Sequence, residues 1–155
     1  MKLLVLSDSH GREHLIRRVL LMHPKADALL FLGDGISDFL NLSDLLSGKT
    51  FLPVKGNNDW ASTAPLSQEI TFEQVKLFLT HGHAYHVKYG LDSLIRAARN
   101  CGAQIVCFGH THQPLDTYQD GLHIFNPGSI CYSGTYGQID LLPGGILTSI
   151  GLLSQ

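Results

Sequence analysis

Short apolar runs alternate with amphipathic segments over the first sixty residues. The apolar runs read KLLVLSD at 2–8, DALLFLGD at 27–34 and TFLPVKGN at 50–57. Each run turns abruptly polar at its end, which is typical of a buried strand. Residues 12–23 and 36–48 carry apolar side chains at helical spacing, and Pro24 and Gly48 supply stop signals after them. This order predicts a parallel sheet with right-handed helical crossovers, and we expect Asp38 to cap the second helix.

The second half of the chain has a different pattern, richer in hairpin signals. We predict two strands within 67–83, a helix at 89–103, a strand at 104–110, a hairpin around Asp120–Gly121 and a last hairpin around Pro143–Gly144–Gly145. A parallel half followed by an antiparallel-rich half predicts two sheets packed face to face, with helices outside. The expected fold is therefore an α/β/β/α sandwich of mixed strand order, and without a visible linker residues 1–155 are expected to form one domain.

Composition removes several classes of function. The chain has 155 residues, 44% of them hydrophobic, and a net charge of −2 with neutral histidines. Its lysines and arginines form no cluster, so we expect no dedicated nucleic-acid surface. The apolar run of residues 3–6 is too short for a membrane span or a secretory segment. Three cysteines without a CxxC pair favour the cytoplasm and argue against a thiolate metal site.

Polar side chains with metal-binding chemistry follow the predicted strands. They are Asp8 and His10 after the first, Asp34 after the second, Asn57 after the third, His81 and His83 in THGH, and His110 and His112 in GHTH. Ligands of α/β sheets bind beyond the carboxyl ends of the strands, so we expect these side chains to meet. Each motif alone has a plainer interpretation as a turn, a helix cap or a pair of surface histidines; the whole ordered set is much harder to attribute to chance.

The donor atoms of this set are oxygen and nitrogen. Carboxylate, amide and imidazole groups suit Mn, Fe, Zn or Ni and do not suit Cu(I) or iron–sulfur clusters. Seven candidate ligands, His83 apart, exceed the needs of one tetrahedral zinc but fit two metals that share a carboxylate. The sequence thus favours a binuclear site, with Mn preferred and Fe, Zn or Ni as alternatives.

The ordered motifs D-x-H, GD, GN, HGH and GHTH resemble those of the calcineurin-like metallophosphoesterase superfamily. The short chain and its GHTHQP and NPGS segments are similar to the small prokaryotic phosphodiesterase branch. The resemblance implies an α/β/β/α sandwich with two divalent metals. The ligands it implies are Asp8, His10, Asp34 and His112 for the first metal, and Asp34, Asn57, His81 and His110 for the second. Asp34 would bridge the two metals.

One position departs from the family's fuller pattern. Many members have a histidine after the GN asparagine, where it helps to protonate the leaving group, and this chain has Asn58. An amide cannot act as an acid, and a general acid is worth roughly 10²- to 10⁴-fold in rate. His83 is a further catalytic candidate because it could face the substrate phosphate. Asp59 could orient the GN turn or a metal ligand, or it could be a solvated turn residue.

These features predict hydrolysis of small phosphate diesters by attack of a metal-bridging hydroxide. Two alternatives remain open at this point. The superfamily includes a retromer subunit of this fold that acts through protein contacts, so a non-catalytic scaffold is one of them. The other is a phosphomonoesterase, which the missing histidine and the short chain disfavour. A homo-oligomer is also possible.

Overall fold

Ten strands form two five-stranded sheets in the computed structural model, which describes residues 1–154. The strands are β1 (Lys2–Leu6), β2 (Ala28–Phe31), β3 (Thr50–Pro53), β4 (Ser67–Phe72), β5 (Val75–Thr80), β6 (Ile105–Cys107), β7 (Leu115–Gln119), β8 (Leu122–Asn126), β9 (Thr135–Leu142) and β10 (Gly145–Leu152). The α-helices are α1 (Glu13–Met22), α2 (Ser43–Leu46) and α3 (Asp92–Asn100). Two 3₁₀ turns span Ile36–Phe39 and His83–Tyr85.

Both sheets contain parallel and antiparallel pairs of strands. The first has the order β10-β9-β1-β2-β3 and the second has the order β4-β5-β6-β8-β7. The strands β1, β2 and β3 pair in parallel, as the sequence predicts. The last hairpin, β9 and β10, pairs antiparallel with the other side of β1. The first sheet therefore takes strands from both halves of the chain, although the hydrophobic pattern suggested one kind of sheet for each half.

Three apolar layers hold the sheets and helices together. The inner layer lies between the sheets and joins Val5 and Leu30 of the first sheet to Leu79 and Phe125 of the second. Burial at this interface is the main stabilising contribution that apolar side chains can make here. Because residues of both sheets share this layer, it holds the sheets together and fixes the loops at their ends relative to one another. The assignment of the chain to a single domain stays a prediction.

The helices cover the outer faces and complete the predicted α/β/β/α sandwich. Ile16 and Leu20 of α1 pack on the first sheet. Leu94 and Ala98 of α3 pack on the second sheet. Both helices follow the apolar spacing of the sequence, which confirms the expected class of fold. None of the helices within residues 1–154 is long and apolar enough to cross a membrane.

The prediction of one continuous helix over 36–48 is wrong. The segment forms a 3₁₀ turn at Ile36–Phe39 and then the single turn of α2, with Leu42 fully buried between them. Asp38 does not cap this segment; its Oδ2 accepts hydrogen bonds from Ser9 Oγ at 2.6 Å and from the backbone N–H of Gly11 at 2.9 Å. The first turn is thereby held against the loop after β1, an interaction that apolar spacing cannot reveal.

Candidate metal centre

The loops after β1, β2, β3, β5 and β6 bring the predicted ligands together at one edge of the sandwich. Two compact groups of carboxylate and imidazole side chains form there. One consists of Asp8, His10 and His112, and the other of Asp34, His81 and His110. In each group the candidate ligand atoms lie within 4.8 Å of one another. The family resemblance implies the same two groups, except that it assigns Asp34 to both of them.

Asp8 organises the first group through its two oxygens. Its Oδ2 accepts hydrogen bonds from Ser7 Oγ at 2.5 Å and from the backbone N–H of His110 at 3.1 Å. Its Oδ1 faces the imidazoles instead, 3.1 Å from His112 Nε2 and 3.5 Å from His10 Nε2. One oxygen is thus fixed by the protein, and the other is turned toward the histidines as a ligand would be.

His81 plays the same organising part in the second group. Its Nδ1 lies 2.6 Å from the carbonyl oxygen of Leu32, to which it can donate its proton. That bond fixes the ring and leaves Nε2 as the ligand atom, an arrangement common for metal-binding histidines. The Nε2 atom lies 3.1 Å from Asn57 Oδ1, 3.2 Å from His110 Nδ1 and 3.4 Å from Asp34 Oδ2.

Asp34 lies where the two groups meet. Besides facing His81, its Oδ2 is 3.9 Å from His10 Nε2 in the first group. Asn58 secures this carboxylate with its backbone N–H on Oδ1 at 2.9 Å and its side-chain amide on Oδ2 at 2.8 Å. One oxygen of Asp34 therefore faces ligand atoms of both groups, as a bridging ligand would.

Burial and charge shift the pKa values of several of these side chains, and for Asp34 and His110 the shift favours the form that binds metals. Burial alone would raise the pKa of Asp34, but the hydrogen bond and charge of His81 and the hydrogen bonds from Asn58 hold that pKa below its usual range. Burial opposes the charged form of His81 too, yet the carboxylate of Asp34 raises its pKa. Burial and the charge of His81 lower the pKa of His110 to about 4, and both lower the pKa of His83. Asp34 stays ionised and His110 neutral, the forms that bind metals.

The donor atoms fit two divalent cations. Ligands held about 2.1 Å from a metal lie about 3.0 Å apart at right angles and about 3.4 Å apart in a tetrahedron. Five of the separations between candidate donor atoms, at 3.1–3.5 Å, match this spacing. The buried Nε2 of His10 has no hydrogen-bond partner among residues 1–154, which would be costly for an imidazole without a ligand. The residues therefore fit a metal in each group.

Positive φ angles are frequent in the loops that carry the candidate ligands, although four other non-glycine residues also have them. Five of the seven predicted ligands have positive φ angles of 42–69°: Asp8, His10, Asp34, His110 and His112. A residue with a side chain costs about 1–3 kcal/mol in such a conformation, and this strain concentrates at functional sites. Its presence at these positions points to selection for the placement of the ligands.

Two glycines allow the ligand loops to approach each other closely. A Cβ atom at Gly56 would lie 2.2 Å from Asp34 Oδ1, and one at Gly109 would lie 2.0 Å from Ser7 Oγ and 2.9 Å from Asp8 Oδ2. Neither position tolerates a side chain unless a carboxylate or its hydrogen-bond partner moves. The glycines of the GN and GHTH motifs are thus required by packing against Asp34 and Asp8.

Asp59 joins the two loops that carry Asp34 and Asn57. This carboxylate is only 8% exposed, and each of its oxygens accepts two backbone N–H groups. Its Oδ2 accepts from Asp34 at 2.7 Å and Gly56 at 2.8 Å, and its Oδ1 accepts from Gly35 at 2.9 Å and Ile36 at 3.0 Å. Of the two interpretations that the sequence allowed, the solvated turn residue is therefore excluded.

The two predicted catalytic positions lie beside the second group. Asn58 is exposed on the rim, with its side-chain amide directed to Asp34. His83 lies on the 3₁₀ turn after β5, with its ring centroid 5.4 Å from that of His81 and 6.1 Å from that of His110. Its buried Nδ1 has no hydrogen-bond partner among the described residues. Both side chains are near the candidate ligands, and their catalytic roles stay predictions.

Sequence reasoning missed three contributors to this site. Ser7 donates a hydrogen bond to Asp8. The sequence indicated Ser7 only as a polar residue at the end of an apolar run. Asn126 donates through Nδ2 to the carbonyl oxygen of Gly109 at 3.1 Å, which links the NPGS segment to the GHTH loop. Tyr132 stacks on His112 with ring centroids 4.9 Å apart and an interplanar angle of 23°. No spacing signal in the sequence pointed to Tyr132.

Comparison with known proteins identifies the family. The sequence matches the calcineurin-like phosphoesterase superfamily domain over residues 1–142, and the chain belongs to this family. It is 32% identical to a probable metallophosphoesterase, YsnB of Bacillus subtilis, over 84% of this chain and 75% of that protein. It is 28% identical to the phosphodiesterase YfcE of Escherichia coli, over 100% of this chain and 94% of that protein.

Solved structures share the architecture. A predicted phosphoesterase from Streptococcus pneumoniae superposes with a TM-score of 0.77 at 25% identity, covering 97% of both chains. Vacuolar Protein Sorting 29 from Cryptosporidium parvum superposes with a TM-score of 0.75 at 18% identity, covering 99% of this chain and 98% of that one. The second similarity concerns the fold alone. The comparisons and the two ligand groups together support a metal-dependent phosphoesterase.

Proposed function

We propose that the protein is a phosphodiesterase that uses two divalent metal ions, with Mn the preferred metal. The observation that carries the proposal is the position of Asp34 Oδ2 between the two ligand groups. Asp8, His10, Asp34 and His112 would hold one ion, and Asp34, Asn57, His81 and His110 the other. When bound, the ions would supply Lewis acidity, which activates water and stabilises the charge on the phosphate in the transition state.

The protein's own groups set the charge of the site and its geometry. Two divalent ions bring about four positive charges, and Asp8 and Asp34 offset two of them, because the amide and the neutral imidazoles offset none. The pocket therefore attracts an anionic phosphate in a chain whose net charge is −2. His83 lies beside the second group and would contact a phosphate oxygen. Asn58 holds Asp34 in place and offers no acidic proton.

Chelation provides the direct test of this proposal. Removal of metal should abolish hydrolysis of bis(p-nitrophenyl) phosphate, and Mn should restore it best among Mn, Fe, Zn and Ni, since the ligands mix oxygen and nitrogen. The measurement is steady-state turnover with metal content determined on the same sample, and p-nitrophenyl phosphate as the monoester comparison. Equal recovery with Mg alone would contradict a histidine-rich site, and faster hydrolysis of the monoester would favour a phosphomonoesterase.

The amide at position 58 predicts a dependence on the leaving group. Without an acid at this position, esters with poor leaving groups should react slowly, and kcat/KM should fall steeply as the leaving-group pKa rises. Asn58→His should help the poorest leaving groups most, by up to about 10²-fold, if the new ring offsets the lost amide bond to Asp34. A series of aryl and alkyl diesters at matched metal content measures the slope. A shallow slope would mean that another group supplies the proton, and His83→Ala should then steepen it.

A scaffold that acts by protein contacts is the second candidate. The similarity of fold to Vacuolar Protein Sorting 29 and the absence of a histidine at position 58 favour it. A scaffold that does not bind metals, however, would not require two groups of candidate ligands with their donor atoms at metal-binding distances. Full metal occupancy without turnover of any phosphate ester would support the scaffold over the enzyme. A cytoplasmic location and a homo-oligomeric state stay predictions.

A further inference from the structure

A cleft adjoins the candidate metal centre on the side of Asn58. It has a volume of about 440 Å³, a size typical of sites for small organic ligands. Its lining residues are Ile36, Ser37, Leu40, Asn58, Asp59, Trp60, Ala61, Ser62 and Thr63. Because the amide of Asn58 also contacts Asp34, the cleft begins within reach of the proposed phosphate position. A phosphate ester at the metals could therefore extend its organic group into this cleft.

Two of the side chains that line the cleft are large, hydrophobic and exposed. Trp60 is 83% exposed and Leu40 is 80% exposed, although both are large hydrophobic side chains. They lie in the same cleft, beside the candidate metal centre. Exposed apolar surface grouped in this way marks a binding site more often than a scattered single residue does.

The charges of the cleft define what it could hold. Of the described residues that line it, only Asp59 is charged, and its oxygens already accept four backbone N–H groups. No cation is present among them to bind a second phosphate. Hydroxyl groups of Ser37, Ser62 and Thr63 line the cleft as well. An uncharged planar group that stacks on the indole and accepts or donates a few hydrogen bonds fits these walls.

We propose that this cleft binds an aromatic ester group of the substrate, stacked on Trp60, and so makes the protein selective for phosphodiesters that carry a nucleobase or another aromatic ring. The inference rests on the proposed phosphodiesterase function and names the class of its substrate. Leu40 is the other large exposed apolar side chain of the cleft. Nucleobase and aryl diesters share the stacking chemistry, and a nucleobase can also use the hydroxyl groups nearby.

The kinetic test varies the ester group that does not leave. Bis(p-nitrophenyl) phosphate, methyl p-nitrophenyl phosphate and thymidine p-nitrophenyl phosphate release the same nitrophenolate, so they differ only in the group that the cleft would hold. Trp60→Ala should lower kcat/KM for the aryl and thymidine diesters by about 10-fold, chiefly through KM, because stacking on an aromatic side chain stabilises a bound ring. The methyl diester should be unaffected. Trp60→Phe should recover most of the loss.

Matched variants separate the cleft from general effects on the fold. Leu40→Ala should weaken the same two substrates less than Trp60→Ala does. Tyr118→Ala removes another exposed aromatic side chain, on β7 against His123, and should change nothing. A greater loss for the thymidine diester than for the bis-aryl diester would assign the cleft to nucleobases. A greater loss for the bis-aryl diester would assign it to simple aryl groups.

A binding measurement tests the cleft without turnover. Trp60 is the only tryptophan of the chain, so the intrinsic indole fluorescence reports on this cleft alone. Adenosine monophosphate should change that fluorescence in the metal-loaded protein, and ribose phosphate, which lacks the base, should not. Equal responses to both, together with equal losses for all three diesters in Trp60→Ala, would overturn the inference. Absence of turnover with every diester would overturn the proposed function instead, and a base-dependent response would still support the cleft.

Discussion

Asp34→Asn is expected to remove both metals and to lower kcat/KM for diesters by about 10³-fold, since Lewis-acid stabilisation of phosphoryl transfer contributes several kcal/mol. The side chain supplies the oxygen that faces ligand atoms of both groups, 3.4 Å from His81 Nε2 and 3.9 Å from His10 Nε2. An amide at this position has one oxygen and one NH₂ group. Asn58 donates to both carboxylate oxygens of Asp34, through its backbone N–H and its side-chain amide. In the variant, one of these two donors would face the NH₂ group of the new side chain.

Elemental analysis of purified protein and a metal titration measure this effect. His112→Ala and His81→Ala are the matched comparisons, because each removes a ligand of one group only. The first should weaken chiefly the ion held with Asp8, and the second the ion held with Asn57. If Asp34→Asn retained two equivalents of metal, the bridging role would be excluded whatever the activity. Loss of one equivalent only would assign Asp34 to a single ion.

Much of the fold follows from apolar patterning because burial decides which segments form strands and which face of a helix turns inward. The run KLLVLSD predicted β1, and β1 became a central strand with four of its five residues buried. The two hairpins formed at Asp120–Gly121 and Pro143–Gly144, where turn chemistry is strong. The pairing of the strands was harder to predict from the sequence, because β9, near the end of the chain, pairs with β1. Local patterns carry no information about so distant a pairing.

The residue types of the candidate site were easier to predict from the sequence than the contacts that hold these residues in place. The candidate ligands were visible because Asp, His and Asn directly after buried strands are expected to share one edge of the sheets. The contacts that fix them depend on atoms from distant loops, such as Ser9 Oγ on Asp38 and the backbone of Gly35 on Asp59. A helical period alone therefore predicted one helix over 36–48, where contacts with the site impose a 3₁₀ turn and a short α-helix.

Asp59→Asn is expected to destabilise the protein by about 3 kcal/mol, which corresponds to a fall in Tm of roughly 6–12 °C for a chain of this size. The carboxylate accepts four backbone N–H groups at 2.7–3.0 Å in a buried position. An amide retains one acceptor oxygen and turns an NH₂ group toward two of these donors, so that about two charge-assisted bonds are lost and buried donors remain unpaired.

The same substitution should also weaken metal binding, by about 10- to 100-fold, because Asp59 positions the loops of Asp34 and Asn57 without touching a metal itself. Thermal unfolding in the presence of chelator isolates the structural loss, and a metal titration well below Tm isolates the loss of affinity. Asp44→Asn, at a side chain 67% exposed, is the matched control and should shift stability by less than about 0.5 kcal/mol. An unchanged Tm in chelator, with metal affinity intact, would mean that the four hydrogen bonds of Asp59 do not hold the two loops. A lower Tm with unchanged metal affinity would confine Asp59 to stability, since the loops of Asp34 and Asn57 would then keep their ligand geometry without it.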